Sequence, residues 1–301
     1  MYMIDSYKKL RPENMAALVV LYDPTKKQLE NLDVFSVFRK LIIIDNSRES
    51  NLKNLSIKIG NLHFVHEPEN IGLSKAYNYG LKFCKENKID FLMLADQDSE
   101  LEIRVILKMS DDAKKLKLNL DKFAILGFAW YENLDLAPKG ATIDEQLIVF
   151  SSGSILNVNI IDKIGGFDER FYIDSVDSEI SLRAINMGYR TGKMLNLGFR
   201  HSIGNPRQIH SRLFDKDLVL YGHSPVRSYY QIRNSLLIKD IFKEKSNPRI
   251  NEFIRDIENT WIKDKLRSIF YEKYKFKKAY YCFRGWLDFK FRRFGKINHK
   301  N

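Results

Sequence analysis

The chain has 301 residues and a formal net charge of +12, with 44% hydrophobic and 29% charged residues. That is globular composition, long enough for one large domain or two smaller ones, and it excludes a disordered chain. Two cysteines, Cys84 and Cys282, lie far apart without metal-ligand spacing, which argues against a disulfide scaffold and suits a reducing cytoplasm. The first fourteen residues carry no apolar core of signal-peptide length. No apolar run approaches the roughly 18 residues that a membrane-spanning helix needs.

The first half of the chain alternates between two patterns. Apolar runs at residues 15–22 ("MAALVVLY") and 41–45 ("LIIID") end in polar residues, and Leu62–His66 ("LHFVH") and Phe91–Asp96 ("FLMLAD") repeat this. Helices are expected between them, at 25–39, 72–86 and 99–116. Buried runs of four to eight residues separated by helical segments predict an α/β fold, a mostly parallel sheet with helices on both faces. Ligands bind such sheets beyond the carboxyl ends of the strands, where Asp45 and Asp96 stand. Further strands are expected at 123–131 and 146–158, and a short helix at 178–188 closed by Gly188. After about residue 210 the chain turns helical, aromatic and basic. This predicts a domain over 1–210 and a helical region over 211–301.

Several stretches carry possible chemistry. In "ADQDS", Asp96 and Asp98 stand two apart just past a strand, so both carboxylates point one way and could share a divalent ion. In "ENIGLSKAYNYG", Asn70 and Gly72 open a helix whose free N–H groups favour an anion. In "GGFDERFYIDSVDSEISLRAINMGYR", the acids Asp174, Asp177 and Glu179 crowd a helix start. There they either complement the helix dipole or include a general base. Arg183 could hold that loop by an ion pair. In "GHSPVRSYYQIRNSLLIKD", Arg227 and Arg233 lie among Tyr229, Tyr230 and Asn234 on a helix. They serve either as packing or as a grip on a diphosphate. Residues 271–296 hold nine Lys or Arg, two acids and ten aromatics, a composition suited to an anionic membrane interface.

Taken in this order, "LVVLYDP", "LIIIDNS", "ENIGLSKAYNYG", "FLMLADQDS", "GGFDERFYIDSVDSEISLRAINMGYR" and "HSIG" resemble the nucleotide-sugar glycosyltransferases of family 2, which have the GT-A fold. Within them the likeness is to the bacterial rhamnosyltransferase-like branch. The matching stretches cover residues 15–205. The resemblance implies that Asp45 contacts the nucleobase and that Asn70 and Gly72 lie against the nucleotide. It places Asp96 near the ribose and the metal, makes Asp98 a direct ligand of Mn²⁺ or Mg²⁺, and makes His201 a further metal or diphosphate contact. Asp177 is implied as the catalytic base, although Val176 stands where many relatives carry a second acid. A Y-x-x-R-N segment like that of Tyr230, Arg233 and Asn234, with Arg227 before it, is implied to meet a lipid-linked diphosphate.

The activity implied is inverting transfer of a sugar onto a lipid-linked or saccharide acceptor, with dTDP-rhamnose as the expected donor and a UDP-hexose or UDP-galactofuranose as the alternative. The expected place is the inner face of the cell membrane, held peripherally at an anionic surface. Nucleic acid is not an expected partner, because the acids gather at strand ends and no RNA- or DNA-binding module is legible.

Overall fold

In the computed structural model, residues 7–55, 60–131, 134–199, 207–220, 222–243 and 247–298 are described. The chain divides into two compact units. The first comprises Met1–Asp168 and Ile180–His201, the second Glu169–Glu179 and Ser202–Asn301. The acid-rich segment from Glu169 to Glu179 groups with the second unit.

The first unit is built on an eight-stranded sheet. In chain order its strands are β1 (Ala16–Leu21), β2 (Lys40–Asp45), β3 (Leu62–His66), β4 (Phe91–Asp96), β5 (Phe123–Trp130), β6 (Ile143–Glu145), β7 (Ser154–Asn157) and β8 (Arg190–Phe199). They lie in the order β3-β2-β1-β4-β7-β5-β8-β6. The pairs β1–β2, β1–β4, β2–β3 and β5–β8 are parallel, while β7 and β6 run against their neighbours. This is the mostly parallel α/β sheet that the apolar runs predicted.

Strand alternation assigns the two faces. Ala17, Val19 and Leu21 of β1, with Met93 and Ala95 of β4, join one buried cluster. Ile106 and Met109 cover them from α3 (Ile103–Lys115), and Phe35 from the segment before β2. Leu18 and Leu92 point the other way, onto α2 (Gly72–Glu86), where a side chain at Gly80 would collide with Leu18. The expected helix at 25–39 is α1 (Lys26–Glu30), capped by Thr25 and Gln28, followed by a 3₁₀ stretch over Asn31–Val37. Asn31, Asp33, Val34 and Ser36 are poor helix formers, and the tighter turn still buries Leu32 and Phe35. Only Ser154–Asn157 of the expected strand at 146–158 pairs, and α4 (Val158–Lys163) follows it directly. Helix α5 (Val176–Asn186) begins in the second unit and belongs to the first from Ile180 onward.

The second unit holds a hairpin, β9 (Arg207–Ser211) with β10 (Lys216–Leu220), and four helices. These are α6 (Pro225–Phe242), α7 (Pro248–Asp256), α8 (Ile262–Ser268) and α9 (Lys275–Lys290). Ser224 caps α6 and Asn247 caps α7, each followed by proline at the first helical position. None of the described helices is long and apolar enough to cross a membrane. Helices α6 and α9 cross where α9 has no side chain: a Cβ at Gly285 would stand 2.6 Å from the Tyr229 carbonyl oxygen. Gly285→Ala must therefore push the helices apart. It should destabilise the protein by about 1–3 kcal/mol, read as a lower denaturation midpoint.

Candidate active site

Parallel register brings the polar strand ends of the first unit level. Leu21 pairs with Asp45, Val20 with Asp96, and Asp45 with His66. The loops leaving β1, β2, β3 and β4 therefore meet along one edge, and side chains stitch them together.

Asp45 organises the largest part. It is fully buried, and its carboxylate accepts from the Ser47 N–H (3.1 Å), the Asn51 N–H (2.7 Å) and the Asn51 side-chain amide. The loop after β2 is thereby wound around the acid that the resemblance assigns to the nucleobase. Ser47 in turn accepts from the Asp23 N–H at 2.8 Å, and its carbonyl lies 3.0 Å from His66 Nε2. Asn46 accepts from the Ile71 N–H at 3.1 Å, tying this loop to the entry of α2. Asn70 sits in the left-handed region (φ 52°) with its side-chain oxygen accepting from the Gly72 N–H. Gly72 follows at φ 81° and is buried. Sequence reasoning passed over Asn46, Ser47 and Asn51. The only available signal was a polar cluster, "DNSRESN", directly after a buried strand.

The D-Q-D-S turn assigns each of its residues a job. Ser99 closes it, its N–H donating to the Asp96 carbonyl at 3.1 Å and its hydroxyl accepting from the Asp96 N–H at 3.2 Å. Ser99 is itself buried against the Ser152 hydroxyl. Gln97 clasps the neighbouring strand end, accepting from the Tyr22 N–H (2.8 Å) and donating to the Tyr22 carbonyl (3.2 Å). Asp96 is half-buried. Asp98 is exposed and makes no hydrogen bond or ion pair among the described residues.

Among the described residues, no three His, Cys, Asp or Glu side chains gather as metal ligands, and His201 lies outside the described residues. Two carboxylates at one turn still fit Mg²⁺ or Mn²⁺, which bind through one or two protein carboxylates and take the rest from phosphate and water.

In the second unit the acid-rich loop is held under backbone strain. Asp174 and Ser175 are consecutive non-glycine residues at φ 61° and 62°, a conformation that persists only when its surroundings enforce it. The enforcing groups come from α6. The Asn234 amide donates to the carbonyls of Ile173 (2.7 Å) and Asp174 (2.8 Å). Arg233, fully buried, donates to the carbonyls of Arg170 (3.2 Å) and Gly295 (2.7 Å), to the Tyr229 hydroxyl and to Asn234. Tyr230 is buried, stacks on Tyr172, and accepts from the Ile297 N–H at 2.9 Å.

Tyr230, Arg233 and Asn234, which the resemblance implies meet a diphosphate, are engaged within the second unit. Their polar atoms are committed to the unit's own backbone and brace the loop. Arg227 differs: its side chain is 44% exposed and forks onto Asp174 at 2.9–3.1 Å. Burial pushes the Asp174 carboxyl above its usual range, against the pull of Arg227. Asp177 lies half-buried in the first turn of α5 with Glu179. In the first unit, Arg183 donates to the carbonyls of Ile164 (2.5 Å) and Gly166 (2.7 Å), fastening the glycine turn.

The division of labour in the D-Q-D-S turn has a thermodynamic signature. Asp98→Ala removes a group with no described partner and should leave stability within about 0.5 kcal/mol. Gln97→Ala breaks two interstrand hydrogen bonds and should lower it by about 1–2 kcal/mol. Denaturant midpoints of the two variants should therefore separate in that order.

No family model matches the chain. In sequence it is 27% identical over 248 residues to the dTDP-rhamnosyl transferase RfbF of Shigella flexneri, an alignment covering 75% of this chain and 79% of that one. In structure it is similar to S. aureus TarS residues 1–349 in complex with UDP-GlcNAc, at TM-score 0.59 and 13% identity over 91% of this chain and 80% of that one. A second structure of the same TarS fragment gives TM-score 0.56 over the same shares. The α/β fold that the motifs implied is thus shared with these solved glycosyltransferase structures, and the sequence is similar to that of a dTDP-rhamnosyl transferase.

Proposed function

We propose that this chain is an inverting glycosyltransferase that moves rhamnose from dTDP-rhamnose onto a lipid-linked or saccharide acceptor in the building of a bacterial surface polysaccharide. The observation that carries the reading is the exposed Asp98, without a partner among the described residues and presented by a turn whose other members are structurally engaged. The sequence relationship to a dTDP-rhamnosyl transferase supports the choice of donor over UDP-sugars.

Asp96 and Asp98 would hold Mn²⁺ or Mg²⁺, which when bound sets positive charge against the diphosphate leaving group. Asn70 and Gly72 place the start of α2 for the nucleotide, and Asp45 shapes the loop that borders it. Asp177 serves as the base. Its carboxylate takes the acceptor hydroxyl proton while that oxygen bonds to the anomeric carbon and the bond to the diphosphate breaks. The nucleoside diphosphate leaves with the bonding pair, so no protein acid has to protonate it, unlike two-carboxylate glycoside hydrolysis. One in-line displacement inverts the anomeric centre.

Two variants separate binding from chemistry. Asp98→Ala should abolish Mn²⁺-dependent binding of dTDP in calorimetry while the fold persists. Asp177→Asn should keep donor affinity and lose turnover by about three orders of magnitude or more, because it removes a base and not a binding group. Unchanged dTDP affinity in Asp98→Ala sinks the metal role. Transfer above about a tenth of wild type in Asp177→Asn sinks the base assignment.

The membrane surface is the partner proposed for α9. Cys282, Gly285 and Asp288 bury one side of this helix. The opposite side exposes Phe276, Tyr280, Phe283 and Trp286 along one stripe, flanked by exposed Lys273, Lys275, Lys277, Lys290, Arg292 and Arg293. Aromatic rings bordered by cations suit an anionic bilayer interface, at roughly 1 kcal/mol per basic residue near the surface. Cutting the chain before α9 is a poor test, because Arg233 and Tyr229 bond to Gly295 and Asp288. Replacing Phe276, Phe283 and Trp286 by serine leaves those contacts intact. The triple variant should transfer sugar to a short soluble acceptor at the wild-type rate yet sediment about tenfold less with phosphatidylglycerol vesicles. Wild-type protein that never sediments with them ends the membrane reading.

A further inference from the structure

Asp98 makes no hydrogen bond or ion pair among the described residues, so its two chain neighbours set where it stands. Gln97 is fastened to the end of β1 through Tyr22. Ser99 is fastened elsewhere. Its hydroxyl meets that of Ser152, in the segment before β7, a residue to which the reaction as described gives no part.

Ser152 belongs to a turn that has little freedom to move. The Gly153 N–H donates to the Leu94 carbonyl of β4 at 3.0 Å, and the Gly153 carbonyl accepts from the Phe128 N–H of β5 at 2.8 Å. Gly153 lies at φ 71° against the Phe199 ring, where a Cβ would stand 2.7 Å from a ring carbon. On the other side, the Ser151 carbonyl accepts from the Ser154 N–H at 3.0 Å and from its hydroxyl at 2.8 Å. The Ser151 hydroxyl accepts from Tyr77 of α2 at 3.2 Å. Two strands and a helix therefore hold Ser152 in place, and it cannot follow Ser99 if Ser99 shifts.

The hydroxyl proton gives the contact its direction. The Ser99 oxygen accepts from the Asp96 N–H, which leaves its own proton for Ser152. Both serines are buried, and Ser152 is the one acceptor that the Ser99 hydroxyl reaches among the described residues. A buried donor without an acceptor is costly. Deprived of Ser152, Ser99 can find a new partner only by turning, and turning gives up the Asp96 N–H that closes the D-Q-D-S turn.

We propose that Ser152 is a positioning residue for the divalent ion: by accepting from Ser99 it keeps the D-Q-D-S turn closed and Asp98 in place to take the metal. Ser152 touches no ligand in this scheme and acts through Ser99 alone. The metal rests on the transferase reading given above, whereas the grip of Ser152 on the turn does not.

The test is calorimetry of dTDP against the full-length protein over a series of Mn²⁺ concentrations. Ser152→Ala should need about tenfold more Mn²⁺ than wild type for half-maximal binding. Excess Mn²⁺ should restore the wild-type affinity, because both carboxylates remain. Ser99→Ala should show the same shift, and the double variant should need no more Mn²⁺ than the worse single one. Ser151→Ala is the control for merely structural damage: it breaks a hydrogen bond in the same turn and should keep the wild-type requirement. Without ligand, the amides of residues 96–100 should exchange hydrogen faster in Ser152→Ala and not in Ser151→Ala. If Ser152→Ala does not fold, Ser152→Cys, whose sulfur is a weaker acceptor, should give a smaller shift in the same direction. An unmoved Mn²⁺ requirement or unchanged exchange in the turn would overturn the proposal. So would a defect that excess Mn²⁺ leaves unrepaired, or effects of Ser99→Ala and Ser152→Ala that multiply. If Asp98→Ala abolishes Mn²⁺-dependent binding while Ser152→Ala changes nothing, the metal reading stands without this residue. Wild-type binding indifferent to Mn²⁺ overturns both.

Discussion

The in-register parallel pairing of β1 with β2 and β4 is the constraint on which the candidate site of the first unit depends. Because Leu21 aligns with Asp45 and Val20 with Asp96, three strands stop together, and their loops leave the sheet side by side. A shift of one residue would turn every buried side chain to the opposite face and exchange the clusters gathered around Val19 and Leu18. The apolar pattern that builds the core therefore also sets where the two acids emerge. Asp45 and Gln97 then convert adjacency into a fixed surface. One winds the loop after its own strand, and the other fastens β4 to the end of β1.

A second constraint operates in the other unit. Two successive residues in the left-handed region cost of order 1–3 kcal/mol each, and α6 answers that strain by holding the loop from its carbonyl side. The strain lies three and two residues before Asp177. A carboxylate reached through a backbone so constrained has few alternative positions, which suits the base role proposed for Asp177.

The sheet was legible because parallel strands buried on both faces read as short apolar runs ended by polar residues. The runs ending at Asp45 and Asp96 coincide with β2 and β4 to within one residue. Asp98 was legible for the same reason, as the second acid after such a run. The segment at 146–158 was not, because Ser151, Ser152 and Gly153 make a turn there. Gly153, at φ 71°, lies against the Phe199 ring, a contact 46 residues distant in sequence and invisible to local periodicity. The bracing role of Arg233 and Asn234 was not legible for a related reason. Their partners Arg170, Gly295 and Ile173 lie 61 to 63 residues away, so a helix with tyrosines and arginines reads the same whether its cations face a ligand or a carbonyl.

Burial alone does not separate structural from ligand-binding cations; the count of satisfied donors does. Arg233 is fully buried, yet carbonyls, an amide oxygen and the Tyr229 hydroxyl surround its guanidinium. Tyr229 passes a hydrogen bond on to Asp288 at 2.8 Å, which brings a negative charge within one side chain of the positive one. Such a cation is complete, and a ligand could reach it only by breaking bonds that brace the loop. Lys278 is complete in a simpler way, by direct pairing with Glu272.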